Sequence, residues 1–167
     1  MNYLLDSNIF IQAKNVQYPF DIFPGFWKWL ERDLGCGLIY SIKPVFNELM
    51  RGNDELKDWV VKYKNSGCFL RVDDEETQKA YRNIVNWVYS SDSKFMEYAK
   101  KDFLSVADPW LIAKAMVTNY SIVTLEKFDS NIKKKIKIPN VCNVFHVKYI
   151  NTIDLLRQFK VQFNLIS

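Results

Sequence analysis

Short apolar runs separated by polar stretches of helical period set the architecture of this chain. Tyr3-Leu4-Leu5 reads as a strand, and it ends at Asp6. Ser7-Asn8 then supply polar groups suited to cap a helix starting near Ile9. A loop with Tyr18-Pro19 and Pro24-Gly25 surrounds an aromatic-rich helix from Phe26 to Leu34, closed by Gly35 and Gly37. Leu38-Ile39-Tyr40 is the second strand. Ser41 opens a helix on which Ile42, Val45, Phe46 and Leu49 form one apolar stripe, with Glu48 on its flank and Gly52 at its end.

A helix over Asp54 to Lys64 leads through Asn65-Ser66-Gly67 to a third strand, Cys68 to Val72. The acidic run Asp73-Asp74-Glu75-Glu76 opens a helix reaching Tyr89, and Ser91-Asp92-Ser93 opens another reaching Phe103, both with acid where the helix dipole favours it. Asp108-Pro109 starts a helix with Leu111, Ile112, Ala115 and Met116 inward, followed by a β-branched strand, Ser121 to Thr124. Val141 to Phe145 reads as the last strand and Ile153 to Phe163 as the last helix. Strands alternating with helices predict one α/β domain over residues 1–167, built on a parallel sheet with helices on both faces.

Composition narrows the function classes. At 167 residues the chain can bury a core without disulfides or structural metal. Twenty-three basic and 19 acidic residues leave a net charge of +4, too modest to announce a nucleic-acid polycation. Three widely spaced cysteines, Cys36, Cys68 and Cys142, point to buried thiols in a reducing compartment. Cys142 and His146 have ligand-like spacing, but a structural zinc site needs four such ligands and this chain has a single histidine. Asp6 and Asn8 interrupt the amino-terminal apolar stretch, and no run approaches the ~20 residues needed to span a bilayer. The expectation is a cytoplasmic protein with no membrane partner.

Four acids stand out by position: Asp6 after the first strand, Glu48 on a helix, Asp108 at a helix start and Glu126 after the fourth strand. Ligands of open parallel sheets gather beyond the carboxyl ends of strands, so such residues can meet despite their separation in sequence. Each also has an ordinary explanation; Asp108 before Pro109 is a good helix cap. Together they suggest a carboxylate site for Mg²⁺ or Mn²⁺, hard cations that choose oxygen ligands and serve phosphodiester hydrolysis.

At these residues the chain resembles the PIN-domain family of metal-dependent nucleases. Tyr3-Leu4-Leu5-Asp6-Ser7-Asn8 looks like that family's first strand ending in Asp-Ser/Thr-Asn. Val45-Phe46-Asn47-Glu48-Leu49 is similar to its second-acid helix, Ala107-Asp108-Pro109-Trp110-Leu111-Ile112-Ala113 to its third, and Val123-Thr124-Leu125-Glu126 to its fourth site. The resemblance implies a three-layer α/β/α PIN-like domain with a central parallel sheet of about five strands. It further implies Mg²⁺- or Mn²⁺-dependent endoribonuclease activity and, for small bacterial members, a VapC-like toxin neutralised by a protein antitoxin. By position, Asp6, Glu48 and Asp108 would form the core metal set. Glu126 would support a second ion or orient water, with Asn8 and Thr124 as polar supports. Many relatives place aspartate where this chain has Glu126.

Lys127, Lys133, Lys134, Lys135 and Lys137 follow Glu126 and could hold RNA phosphates, as could Arg51; a solvated lysine face accounts for them equally well. The aromatics Phe20, Phe23, Phe26, Trp27 and Trp29, and Trp87, Tyr89, Phe95 and Tyr98, belong mostly to the core or to an interface with an antitoxin or a second copy of the chain. Two other functions compete with the ribonuclease: an inactive PIN-like module that binds RNA or protein, and a DNA-directed nuclease.

Overall fold

Apolar residues with no exposed face form the middle of the sheet. In the computed structural model, which describes residues 1–35 and 37–164, Leu4, Leu5, Ile39, Ile42, Ile122 and Val123 are inaccessible to solvent, as strands covered on both sides require. The elements run β1 (Tyr3–Leu5), α1 (Ser7–Gln12), a π-helical turn (Ala13–Gln17), α2 (Pro24–Gly35), β2 (Ile39–Ile42), α3 (Lys43–Leu49), α4 (Glu55–Val61) and β3 (Phe69–Leu70). They continue with α5 (Glu75–Val88), α6 (Glu97–Leu104), α7 (Asp108–Thr118), β4 (Ser121–Val123), α8 (Ile138–Phe145), β5 (Tyr149–Ile150) and α9 (Thr152–Gln158).

The sheet is parallel and ordered β3-β2-β1-β4-β5, with Leu4 opposite Tyr40 on one side and Ile122 on the other. Helices cover both faces in the expected three-layer α/β/α arrangement; α7 packs against α5, β2 and β4. One continuous cluster of buried side chains runs from Tyr3 to Leu156. Because β1 leads outward through β2 to β3 while β4 leads the other way to β5, the order reverses between β1 and β4. Loops diverge at such a point and leave a crevice at the carboxyl ends of the strands.

Several elements differ from the sequence expectation. Val141 to Phe145 is helix, because Pro139 in its first turn and the left-handed His146 at its end (φ 56°) bracket a helical segment. The last strand is instead the two-residue edge β5. Ser41 lies within β2, where its hydroxyl donates to the Leu5 carbonyl at 2.7 Å, and the helix begins beyond Ile42 with Pro44 in its first turn. Strand β3 keeps only two of the five expected residues. Ser91-Asp92-Ser93 opens no helix; α6 starts at Glu97. Asp74 alone of the acidic tetrad caps α5, accepting from the Thr77 N–H at 2.9 Å. Helix α9 stops at Gln158, short of Phe163.

Cys68 and Cys142 are buried free thiols, and burial pushes Cys142 up to about 12; Cys36 lies outside the described residues. Phe26, Trp27 and Trp29 are core, with Phe20 stacked on Trp27 at 3.9 Å, whereas Tyr89 and Tyr98 are about half exposed. Among the described residues no helix is long and apolar enough to cross a membrane.

Candidate active site

Asp6 sits where β1 leaves the sheet, at the switch point, and is 1% exposed. Its Oδ2 accepts from the Thr124 hydroxyl at 3.1 Å and its Oδ1 from the Ser7 hydroxyl at 3.4 Å. Thr124 follows β4 directly, and its Oγ1 in turn accepts the Glu126 N–H at 3.2 Å. A short chain of hydrogen bonds therefore ties the ends of the two central strands together across the crevice. Burial still dominates these bonds: the Asp6 carboxyl is pushed up to about 6, the desolvation reinforced by the charge of Glu126.

Asp108 begins α7, and the expected cap is absent: Ala107 is the capping position, and Asp108 is the first helical residue. The capping role passes to Glu48, whose Oε1 accepts the Ala107 N–H at 2.8 Å from across the crevice. The Asp108 carboxyl itself makes no capping hydrogen bond to its own helix end. Burial, followed by the charges of Asp6, Glu126 and Glu48, pushes Asp108 up to about 8. Asp108 thus feels the charge of the other three sequence-selected acids, and Asp6 that of Glu126.

Glu126 is committed differently. Its Oε2 accepts the Ile138 N–H at the start of α8 at 2.8 Å, and its Oε1 accepts the Lys135 ammonium at 2.5 Å. Among the described residues no three acid, thiol or imidazole side chains stand close enough together to hold a metal ion as they are placed. The geometry gives the reason: Glu48 is drawn toward Ala107 and Glu126 toward Lys135 and α8. The donor chemistry nonetheless suits a hard divalent cation, since carboxylates crowded enough to hold protons near neutral pH are stabilised by a positive charge placed among them.

A cleft of ≈ 410 Å³ opens over this centre, lined by Asn8, Glu48, Asp108, Arg51, Lys134 and Lys135 among others. Lys127 and Lys133 are exposed but do not line it; the Lys133 carbonyl accepts the Met96 N–H at 2.9 Å, and Lys137 lies 3.9 Å from Asp129. Sequence reasoning missed Ser7, which bonds Asp6, and Asp102, which lines the cleft. Ser7 stands beside Asp6 in the motif and was readable there; nothing in the pattern around Asp102 marks it. A larger hollow of ≈ 690 Å³ between α2 and residues 159–164 has no carboxylate in its lining.

No curated protein matches. A chain of the crystal structure of VapBC2 from Rickettsia felis bound to a DNA fragment from their promoter is similar over 90% of this chain and 98% of that one, at 15% identity and a TM-score of 0.54. That likeness establishes a PIN-like fold. A family model described as a domain of unknown function (DUF4411) matches residues 3–163, essentially the whole length, and the chain belongs to that family.

Proposed function

We propose that the protein is a Mg²⁺- or Mn²⁺-dependent endoribonuclease acting as the toxin of a toxin–antitoxin pair in the cytoplasm. The observation that carries this reading is the convergence of Asp6, Glu48 and Glu126 on Asp108 beside the switch point of a PIN-like sheet, where burial and the three acids push Asp108 up to about 8. Asp6, Asp108 and Glu48 would hold the ion. When bound, it supplies an activated water and neutralises charge on the scissile phosphate.

The chain's own residues do the positioning. Thr124 and Ser7 orient the Asp6 carboxylate, while Glu48 holds the amino end of α7 and with it the backbone of Asp108. Arg51 and Lys134 at the cleft rim would seat the phosphates flanking the cut, and the Asn8 amide would contact the substrate backbone. The toxin assignment draws on the similarity to a VapBC2 chain, and an antitoxin is the partner it implies.

The competing reading, a binding module without catalysis, draws on the hydrogen-bonded states of Glu48 and Glu126. One experiment separates the two. Purified protein should cut single-stranded RNA with Mn²⁺ or Mg²⁺ and stop in chelator, and Asp6→Asn should lower the rate at least about a hundredfold while melting cooperatively. RNA binding without cutting favours the module, and preferential cutting of DNA favours a DNA-directed nuclease. Growth arrest on induction, relieved by a co-expressed neighbouring gene product, tests the toxin role.

A further inference from the structure

Lys135 and Glu126 form an ion pair at the cleft. The ammonium lies 2.5 Å from Glu126 Oε1, and the Lys135 side chain is 59% exposed while that of Glu126 is 11% exposed. Asp108 and Asp6 lie near enough to act electrostatically on the same ammonium. Lys135 also lines the cleft beside Asp108 and Glu48. The second Glu126 oxygen is fixed to the Ile138 N–H, so the carboxylate clamps the lysine loop to the start of α8 with both oxygens in use.

We propose that the Lys135 ammonium, clamped by Glu126, is the resident cation of the fourth acidic position, so that the centre takes a single divalent ion on Asp6, Asp108 and Glu48. The inference rests on the nuclease reading and deepens it. Glu126 becomes a positioning residue and not a metal ligand. Lys135 becomes the positive charge that a second ion would otherwise bring to the substrate phosphate.

The lysine loop then has two distinct parts. Lys135 is anchored into the acidic centre, whereas Lys127 and Lys133 stay on the outside and contribute only general positive charge. Both oxygens of Asp6 also accept hydrogen bonds, but from neutral hydroxyls; what sets Glu126 apart is that one of its partners is itself a cation. A divalent ion on Glu126 would have to displace the Lys135 ammonium or sit against its charge.

The test is a Mn²⁺ titration of the metal-free protein, read from the spin-resonance signal of unbound Mn²⁺, without RNA. Wild type should take one ion per chain. Lys135→Met, which removes a competing positive charge, should bind about tenfold tighter. The charge-balanced double variant Glu126→Gln/Lys135→Met should stay within about threefold of wild type.

Two ions on wild type, or a double variant as weak as Asp6→Asn, overturns the proposal. Should the double variant not melt cooperatively, Lys135→Met alone decides, and unchanged affinity overturns it. Cutting is read separately, so this proposal can fall while the nuclease reading stands. The reverse holds for a protein that titrates as expected but leaves RNA intact.

Discussion

Asp6 and Asp108 hold their protons more tightly in the folded chain than in the unfolded one, and the direction of that difference determines how stability responds to pH. Burial first, and the neighbouring acids after it, push Asp6 up to about 6 and Asp108 up to about 8, against 3.8 for an ordinary aspartate. Between these limits the native state binds more protons than the unfolded state, so stability falls as pH rises. Metal-free protein should therefore melt at a lower temperature at pH 8 than at pH 5, a trend that scanning calorimetry in chelator reads directly. Asp108→Asn, which cannot ionise, should flatten the trend and stabilise metal-free protein at pH 8 by roughly 1–3 kcal/mol. A wild-type melting temperature that climbs from pH 5 to pH 8 would contradict the burial of these charges. That Asp6, Glu48 and Asp108 are brought near one another was legible because each sits in a local motif whose element and face the apolar pattern defines. The commitment of Glu126 was not. Its partners, Lys135 and the Ile138 N–H, come from an aperiodic loop whose path is set by tertiary contacts such as Met96 N–H to the Lys133 carbonyl.

Helix α8 illustrates how elements are misread when apolar content outweighs punctuation. Val141 to Phe145 is rich in apolar and β-branched residues, yet Val141 and Cys142 are buried while Asn143 and Val144 are exposed, a helical distribution and not a two-residue alternation. The true strand, Tyr149–Ile150, is two half-buried residues, too short to leave a periodic signal. The helices α3, α5 and α7 were legible because proline, acidic starts and apolar stripes agree there. The end of α8 offers a test at this scale. His146 is exposed and holds φ 56°, a conformation that costs a side-chain-bearing residue energy and glycine little, while the Val147 N–H bonds the Cys142 carbonyl at 2.9 Å. His146→Gly should stabilise the protein by about 0.5–1 kcal/mol in urea unfolding. Destabilisation would mean that the imidazole makes a contact the geometry does not give it.

At the scale of the molecule, the parallel sheet does what no single motif could. It places β1 and β4 side by side with their connections running apart, so that residues more than a hundred positions apart in sequence, Asp6 and Thr124, share a hydrogen bond. Fold class was readable from the alternation of elements, whereas a sheet of about five strands was what the family resemblance implied. The strand order was not, because it depends on which buried faces meet. If this topology gathers Asp6, Glu48 and Asp108 into one cation site, anomalous diffraction from Mn²⁺-soaked crystals will show it. A single manganese peak is expected within coordination distance, about 2.0–2.4 Å, of oxygens from Asp6 and Asp108, with Glu126 still on Lys135. Manganese bound elsewhere, or no peak at this cleft at saturating metal, would contradict it.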